Sequence, residues 1–148
     1  MPLNANGEQL IRTNLEKVRR GIKPHPVVVG NLTEPQLEQL NYTRAQAGRA
    51  PMRADIMFLG THIFHRRITE DGYSVDDVLR QIISALDVSA QIRVTPKMTI
   101  LQSQIPRDDG YGNRVTDEAV FECTGKYPFP DLYSVIPKGD RIKPKPAK

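Results

Sequence analysis

The chain predicts an α+β domain, with N-terminal helices and one central amphipathic helix packed on a mainly antiparallel sheet of about four strands. Three observations carry that class. Helical periodicity and capping signals are confined to the stretch before Leu86, whereas the residues after it form short β-branched runs separated by turn formers. The two kinds of element do not alternate regularly, as a parallel sheet with crossover helices would require. There is no internal repeat. The expected organisation is an N-terminal helix and linker over 1–26, an α+β domain over 27–140 and a basic tail over 141–148.

Taken in order, Gly7 to Arg20 reads as the first helix. Ile11, Leu15 and Val18 fall at i, i+4 and i+7 on one stripe. Lys17, Arg19 and Arg20 suit the negative end of the helix dipole, and Gly21 is placed to stop the helix. Lys23-Pro24-His25-Pro26 forbids regular helix and reads as an extended connector, in which His25 is a linker residue. Val27-Val28-Val29 is a short strand ended by Gly30. A second helix follows. Thr33 and Gln36 form a capping box, Pro35 is tolerated in the first turn, and Leu32 and Leu37 can staple its entry. It runs to about Gly48, before Arg49-Ala50-Pro51 breaks it.

Ile56-Met57-Phe58-Leu59 is a continuous apolar run before Gly60, read as a buried central strand. After the Asp71-Gly72 turn, Ser74 and Asp77 make another capping box. Val75, Val78, Leu79, Ile82, Ile83 and Leu86 then give the central helix its apolar face. Beyond it, Ile92–Val94, Met98–Leu101, 119–124 and Leu132–Ile136 are strand candidates, with a polar glycine loop over residues 106–114 and a Pro-rich corner near Pro128.

Composition narrows the function classes. With 148 residues, 39% hydrophobic and 26% charged, the chain can build a core and is not compositionally disordered. Cys123 is the only cysteine, which excludes a disulfide framework and a thiolate zinc cluster and points to a reducing, cytosolic setting. No apolar run reaches the roughly 18 residues of a membrane span, and the N-terminus lacks a leader-like apolar region. The formal charge is +4. It is concentrated at the end, where Lys138, Arg141, Lys143, Lys145 and Lys148 face one acid, Asp140. Such a tail attracts any polyanion, RNA and DNA included, and is equally a solvated terminus.

The densest set of reactive side chains is His62, His65, Arg66 and Arg67, delivered by the strand before them and anchored by the helix after them. On a helix, His62, His65 and Arg66 share a face; on a strand, His62 and Arg66 lie together and His65 points away. Both conformations remain open from the residues alone. An imidazole that titrates near neutrality can take the proton of a ribose 2′-hydroxyl or return one to the leaving oxygen. A guanidinium offers paired donors to phosphate charge. That route needs no metal or other cofactor. The rival, a divalent ion held by H-x-x-H with Glu70 and Asp71, is disfavoured by the two adjacent arginines. The plain alternative is a histidine packed at a strand end with the arginines in solvent.

From the second half, Lys97, Thr99, Arg107, Tyr111, Asn113, Arg114, Lys126, Ser134 and Lys138 could add phosphate or base contacts. Lys97, Arg107, Tyr111, Arg114 and Lys138 are the candidates for RNA binding, although ordinary loop charges explain Arg107 and Arg114 as well. The DGYGN run lacks a P-loop pattern, and no serine sits in a nucleophile elbow. Cys123 reads as core.

A strand, then H-I-x-x-R-R-I, then a capped amphipathic helix and several strands resembles the barnase–EndoU–colicin–RelE superfamily of small metal-independent ribonucleases and toxins. The segments GTHIFHRRITEDGYSVDDVLRQIISAL and DGYGNRVTDEAVFEC…LYSVIPKGDRIKP are similar to phage- and prophage-encoded members of that group. The likeness spans roughly 27–142. It implies a helix-plus-sheet fold whose sheet face holds RNA. It also implies His62 as the acid/base group with His65 and Arg66 or Arg67 beside it, and Ser134 as the polar residue of the last strand. Implied partners are tRNA or another RNA and an immunity or phage protein, in the cytoplasm of a bacterial host. One departure is the absence of a clear glutamate of the barnase kind; Glu122 lies in a strand candidate with its face undetermined. The alternatives are a non-enzymatic phage accessory or virion-associated protein, and a nucleic-acid-binding module without catalysis.

Overall fold

The computed structural model describes residues 3–94, 98–123 and 128–139. Lys97, Lys126 and the tail over 141–148 lie outside the described residues. Helix α1 (Gly7–Arg19) leads to strand β1 (Val27–Asn31), α2 (Glu34–Gln46) and β2 (Asp55–Phe58). A short helix α3 (Thr61–Ile63) continues as a π-helix over Phe64–Glu70, followed by α4 (Val75–Ala85). Strands β3 (Gln91–Val94), β4 (Met98–Gln102), β5 (Arg107–Asp108), β6 (Arg114–Glu122) and β7 (Asp131–Lys138) complete the described chain.

The local signals act as physical chemistry requires. Thr33 accepts the Gln36 N–H while the Gln36 side chain accepts the Thr33 N–H. Ser74 and Asp77 make the same reciprocal pair at 3.0 Å each, so both helices start with two otherwise orphaned donors satisfied. The wide apolar stripe of α4 buries Val78, Leu79, Ile82 and Ala85 against β6 and β7. Ile11 and Leu15 of α1 are fully buried in the same core, so the N-terminal helix contributes to the packing of the domain.

The sheet corrects the expectation of about four strands. Among the described residues seven strands form it, in the order β1-β2-β7-β6-β4-β3, with β5 paired to β6 off that path. It is antiparallel except for one short parallel ladder, Met57↔Asp131 and Phe58↔Leu132, between β2 and β7. Short strands count in full here because each adds its own row of backbone hydrogen bonds, however few apolar residues it carries.

Phe58, Leu101, Ala119, Phe121, Leu132 and Val135 point into the core under the helices. Alternation along the strands, followed through the register, therefore places Arg93, Ile100, Glu118, Val120, Glu122, Asp131 and Ser134 on the opposite face. The β6–β7 ladder is irregular: Val120 pairs with Ser134 and Phe121 with Leu132, so Tyr133 is an extra, bulged residue.

Both margins of the sheet are partly covered. At β3, the side-chain amides of Gln36 and Gln39 donate to the carbonyls of Ala90 at 3.5 Å and Ile92 at 3.4 Å. At β1, the Asn4 N–H donates to Val29 C=O at 2.8 Å, and Leu3 bridges to Gly30.

Candidate functional site

The site begins where the parallel ladder stops. β2 ends at Phe58, next to Leu132, and the two chains then diverge. β2 turns at Gly60, whose φ of 99° is left-handed, and a Cβ there would lie 2.9 Å from the Phe58 ring. Only glycine fits that turn without strain. β7 bulges at Tyr133. The divergence brings His62, at the start of the helical segment, onto Tyr133. The two rings stack with centroids 4.1 Å apart and planes 18° apart. The histidine segment is therefore helical, which settles the helix-or-strand question left open by the residues.

His62 is half-buried. Burial holds its pKa below the ordinary 6.5, and the nearby Arg66 and Arg67 charges add to the lowering, while Glu122 and Glu70 oppose it. The imidazole is thus biased towards its neutral form, within electrostatic reach of a cation on its own helix and a carboxylate on β6. Arg66 is exposed, with Nε 3.5 Å from Glu70. Arg67 is different. It is buried, its Nη1 lies 2.9 Å from Asp71, and its Nε has no hydrogen-bond partner among the described residues. His65 is exposed and meets Phe64 edge to face at 5.9 Å; the Arg19 guanidinium lies over that same Phe64 ring. The segment is a π-helix, and the Asp71 N–H donates to Arg66 C=O five residues back at 3.2 Å. Such i→i+5 turns are rare and concentrate at functional sites.

Glu122 and Asp131 are Cα partners directly across the β6–β7 ladder, on the face opposite the core residues Phe121 and Leu132. Burial raises the Asp131 pKa, and the Glu122 charge raises it further. Neither carboxylate forms an ion pair with another described residue. Like charges directly opposite each other on a ladder repel, which is the second cause of the raised Asp131 pKa. Glu122 and Tyr133 are the neighbours of His62 that sequence reasoning did not place. The bulge that presents Tyr133 leaves no mark in the residue pattern, and the facing of Glu122 follows only from the register.

The remaining candidates divide. Ser134 is buried, one residue past the bulge, opposite Val120. Arg107 grips Asp117 with two hydrogen bonds, Nε to Oδ2 at 2.7 Å and Nη2 to Oδ1 at 3.0 Å, and Asp117 is fully buried. Tyr111 donates its hydroxyl to Asp77 at 2.5 Å and meets Tyr73 edge to face. Asp109 accepts the Tyr111 and Asn113 N–H groups and the Asn113 side-chain amide, folding the DGYGN loop onto itself. Arg107 and Tyr111 thus hold the loop to the domain at the far end of β6 from Glu122. Arg114 and Lys138 are exposed near that same end. The structure puts His62 on the bulge, with Arg66 and Arg67 within its electrostatic reach, and places Arg107, Tyr111, Arg114 and Lys138 elsewhere.

Among the described residues no group of three or more His, Cys, Asp or Glu side chains is arranged to hold a metal ion, and no helix is long and apolar enough to cross a membrane. Comparison with protein-family models, with curated proteins and with solved structures finds no match.

Proposed function

We propose that the domain is a metal-independent endoribonuclease-like toxin or effector of phage or prophage type, cleaving RNA by attack of the ribose 2′-hydroxyl. The observation that carries this reading is the His62–Tyr133 stack, with Arg66 and Glu122 within electrostatic reach of the imidazole. Neutral His62 accepts the 2′-hydroxyl proton as the oxygen attacks phosphorus. The P–O5′ bond then breaks to leave a 2′,3′-cyclic phosphate, and the departing 5′-oxygen takes a proton from the imidazolium or from water. Arg66, exposed on the same helix, supplies donors to the phosphate as its charge grows. Arg67 acts from beneath, locked to Asp71 and lowering the proton affinity of His62.

The test is purified protein on total RNA or tRNA in EDTA, with cyclic-phosphate ends as the product sought. His62→Ala is expected to lose about 10²-fold or more in rate. Intact RNA with the wild-type protein, or equal cleavage by the variant, sinks the mechanism.

A second reading, an accessory or virion-associated phage protein without catalysis, is favoured by the Glu122–Asp131 pair, because two carboxylates with no cationic partner among the described residues repel a phosphate backbone. It expects no products and no salt-sensitive RNA binding, together with a stoichiometric protein partner.

A further inference from the structure

Asn14 lies on α1, far in sequence from the reactive histidines and arginines, and is 2% exposed. The two N–H groups of its amide are shared among three carbonyls, with Nδ2 2.9 Å from His25 O, 3.2 Å from Phe58 O and 3.2 Å from Leu59 O. Phe58 and Leu59 are the residues with which β2 leaves the sheet. Three residues later comes His62. On the other side of the parallel ladder, Phe58 pairs with Leu132, which directly precedes Tyr133. Both rings of the stack therefore hang from the same point, and the Asn14 amide is fastened to that point.

We infer that Asn14 is a positioning residue for His62, fixing the direction in which the chain leaves β2 so that the imidazole lands on Tyr133. The placement follows from geometry. Beyond Phe58 the chain has no β-partner to direct it, and the left-handed turn at Gly60 amplifies any rotation of the Leu59 peptide into a displacement of α3. A buried carboxamide holding two consecutive carbonyls removes that rotation. No other described side chain donates to either carbonyl.

The inference rests on the ribonuclease reading only for its catalytic consequence, since the ring position is measurable without any substrate. The test uses Asn14→Ser in the full chain, which keeps one donor, alongside Asn41→Ser as a matched control. Asn41 clamps Met52 through its N–H and C=O at 2.8 and 3.1 Å, a comparable side-chain–backbone clasp at a distance from His62. The readout is the NMR shift of the His62 ring protons, which lie over the Tyr133 ring and are held upfield by its current.

Asn14→Ser is expected to move these protons downfield toward the free-imidazole position and to raise the His62 titration midpoint, while Asn41→Ser moves neither. In cleavage, Asn14→Ser should lower kcat about tenfold or more with KM changed by less than about twofold, as expected for a misplaced catalytic group. Unmoved His62 signals in a folded Asn14→Ser protein, or equal movement in both variants, would overturn the inference. Should wild-type protein leave RNA intact, the enzymatic reading fails while the ring-position result still decides the role of Asn14. If Asn14→Ser does not fold, Asn14→Gln, which keeps both amide donors but sets them one methylene further out, is read in the same way.

Discussion

Replacing Arg107 by alanine removes the cation from an Asp117 carboxylate that is fully enclosed and receives both guanidinium hydrogen bonds, at 2.7 and 3.0 Å. Breaking a buried pair by deleting one partner costs about 3–5 kcal/mol, because the other charge stays desolvated. The Arg107 side chain is 22% exposed, so water can reach part of the vacated space, which favours the low end, about 3 kcal/mol. For a domain of this size that corresponds to a fall in Tm of about 6–12 °C. Urea melts followed by circular dichroism measure it, with a constant m-value showing that the denatured state has not changed. Arg107→Met combined with Asp117→Leu should recover most of the loss, since an apolar pair of similar volume needs no charge compensation. The competing view of Arg107 makes it an RNA clamp. If Arg107→Ala melts within about 0.5 kcal/mol of wild type and instead weakens RNA binding with a shallower salt dependence, the structural reasoning is refuted.

Three further outcomes are expected. Gly60→Ala forces a Cβ to within 2.9 Å of the Phe58 ring in a left-handed conformation, and should cost about 3 kcal/mol by denaturant melt; a loss below about 1 kcal/mol would show that the turn re-forms freely. His62 titrates below 6.5 when folded, so the unfolded chain binds its proton first. Its contribution to stability is complete above pH 6.5 and is lost as the pH falls from 6.5 through the lowered folded value. Arg66→Gln should narrow that window, and an unchanged His62 titration would contradict the assigned cause. Tyr111, pushed up to about 12 by its hydrogen bond to Asp77, stabilises the fold below pH 10 and loses that contribution between 10 and 12. Tyr111→Phe should remove this alkaline dependence and about 1 kcal/mol at neutral pH, a low figure because the ring is partly exposed.

What the residues disclosed and what they concealed have separate causes. Helix starts were legible because capping is local: Thr33 with Gln36, and Ser74 with Asp77, form their reciprocal bonds within four residues. The apolar rows of β2 and β4 were likewise readable, whereas β6 begins at Arg114, inside a polar stretch that looked like loop. The polarity of Asp117 misleads there, because its charge is matched by Arg107 ten residues away. The number and order of strands depend on pairing between distant segments. So does the parallel β2–β7 contact, which no local pattern announces. The reactive segment was visible as His62, His65, Arg66 and Arg67, but its π-helical geometry and the separation of buried Arg67 from exposed Arg66 arise from packing. Tyr133 and Glu122 join His62 only through the bulge and the register.

The glutamines that partly cover the β3 margin bear on how the protein behaves at high concentration. A terminal strand whose outward carbonyls are free invites the same strand of another molecule, and repeated pairing of that kind leads to filaments. With Gln36 and Gln39 occupying the Ala90 and Ile92 oxygens, and Leu3 and Asn4 laid along β1, each end of the sheet offers fewer free backbone groups for such growth. A chain carrying leucine at both glutamine positions should cross over to thioflavin-positive aggregates at concentrations where the native sequence stays dispersed.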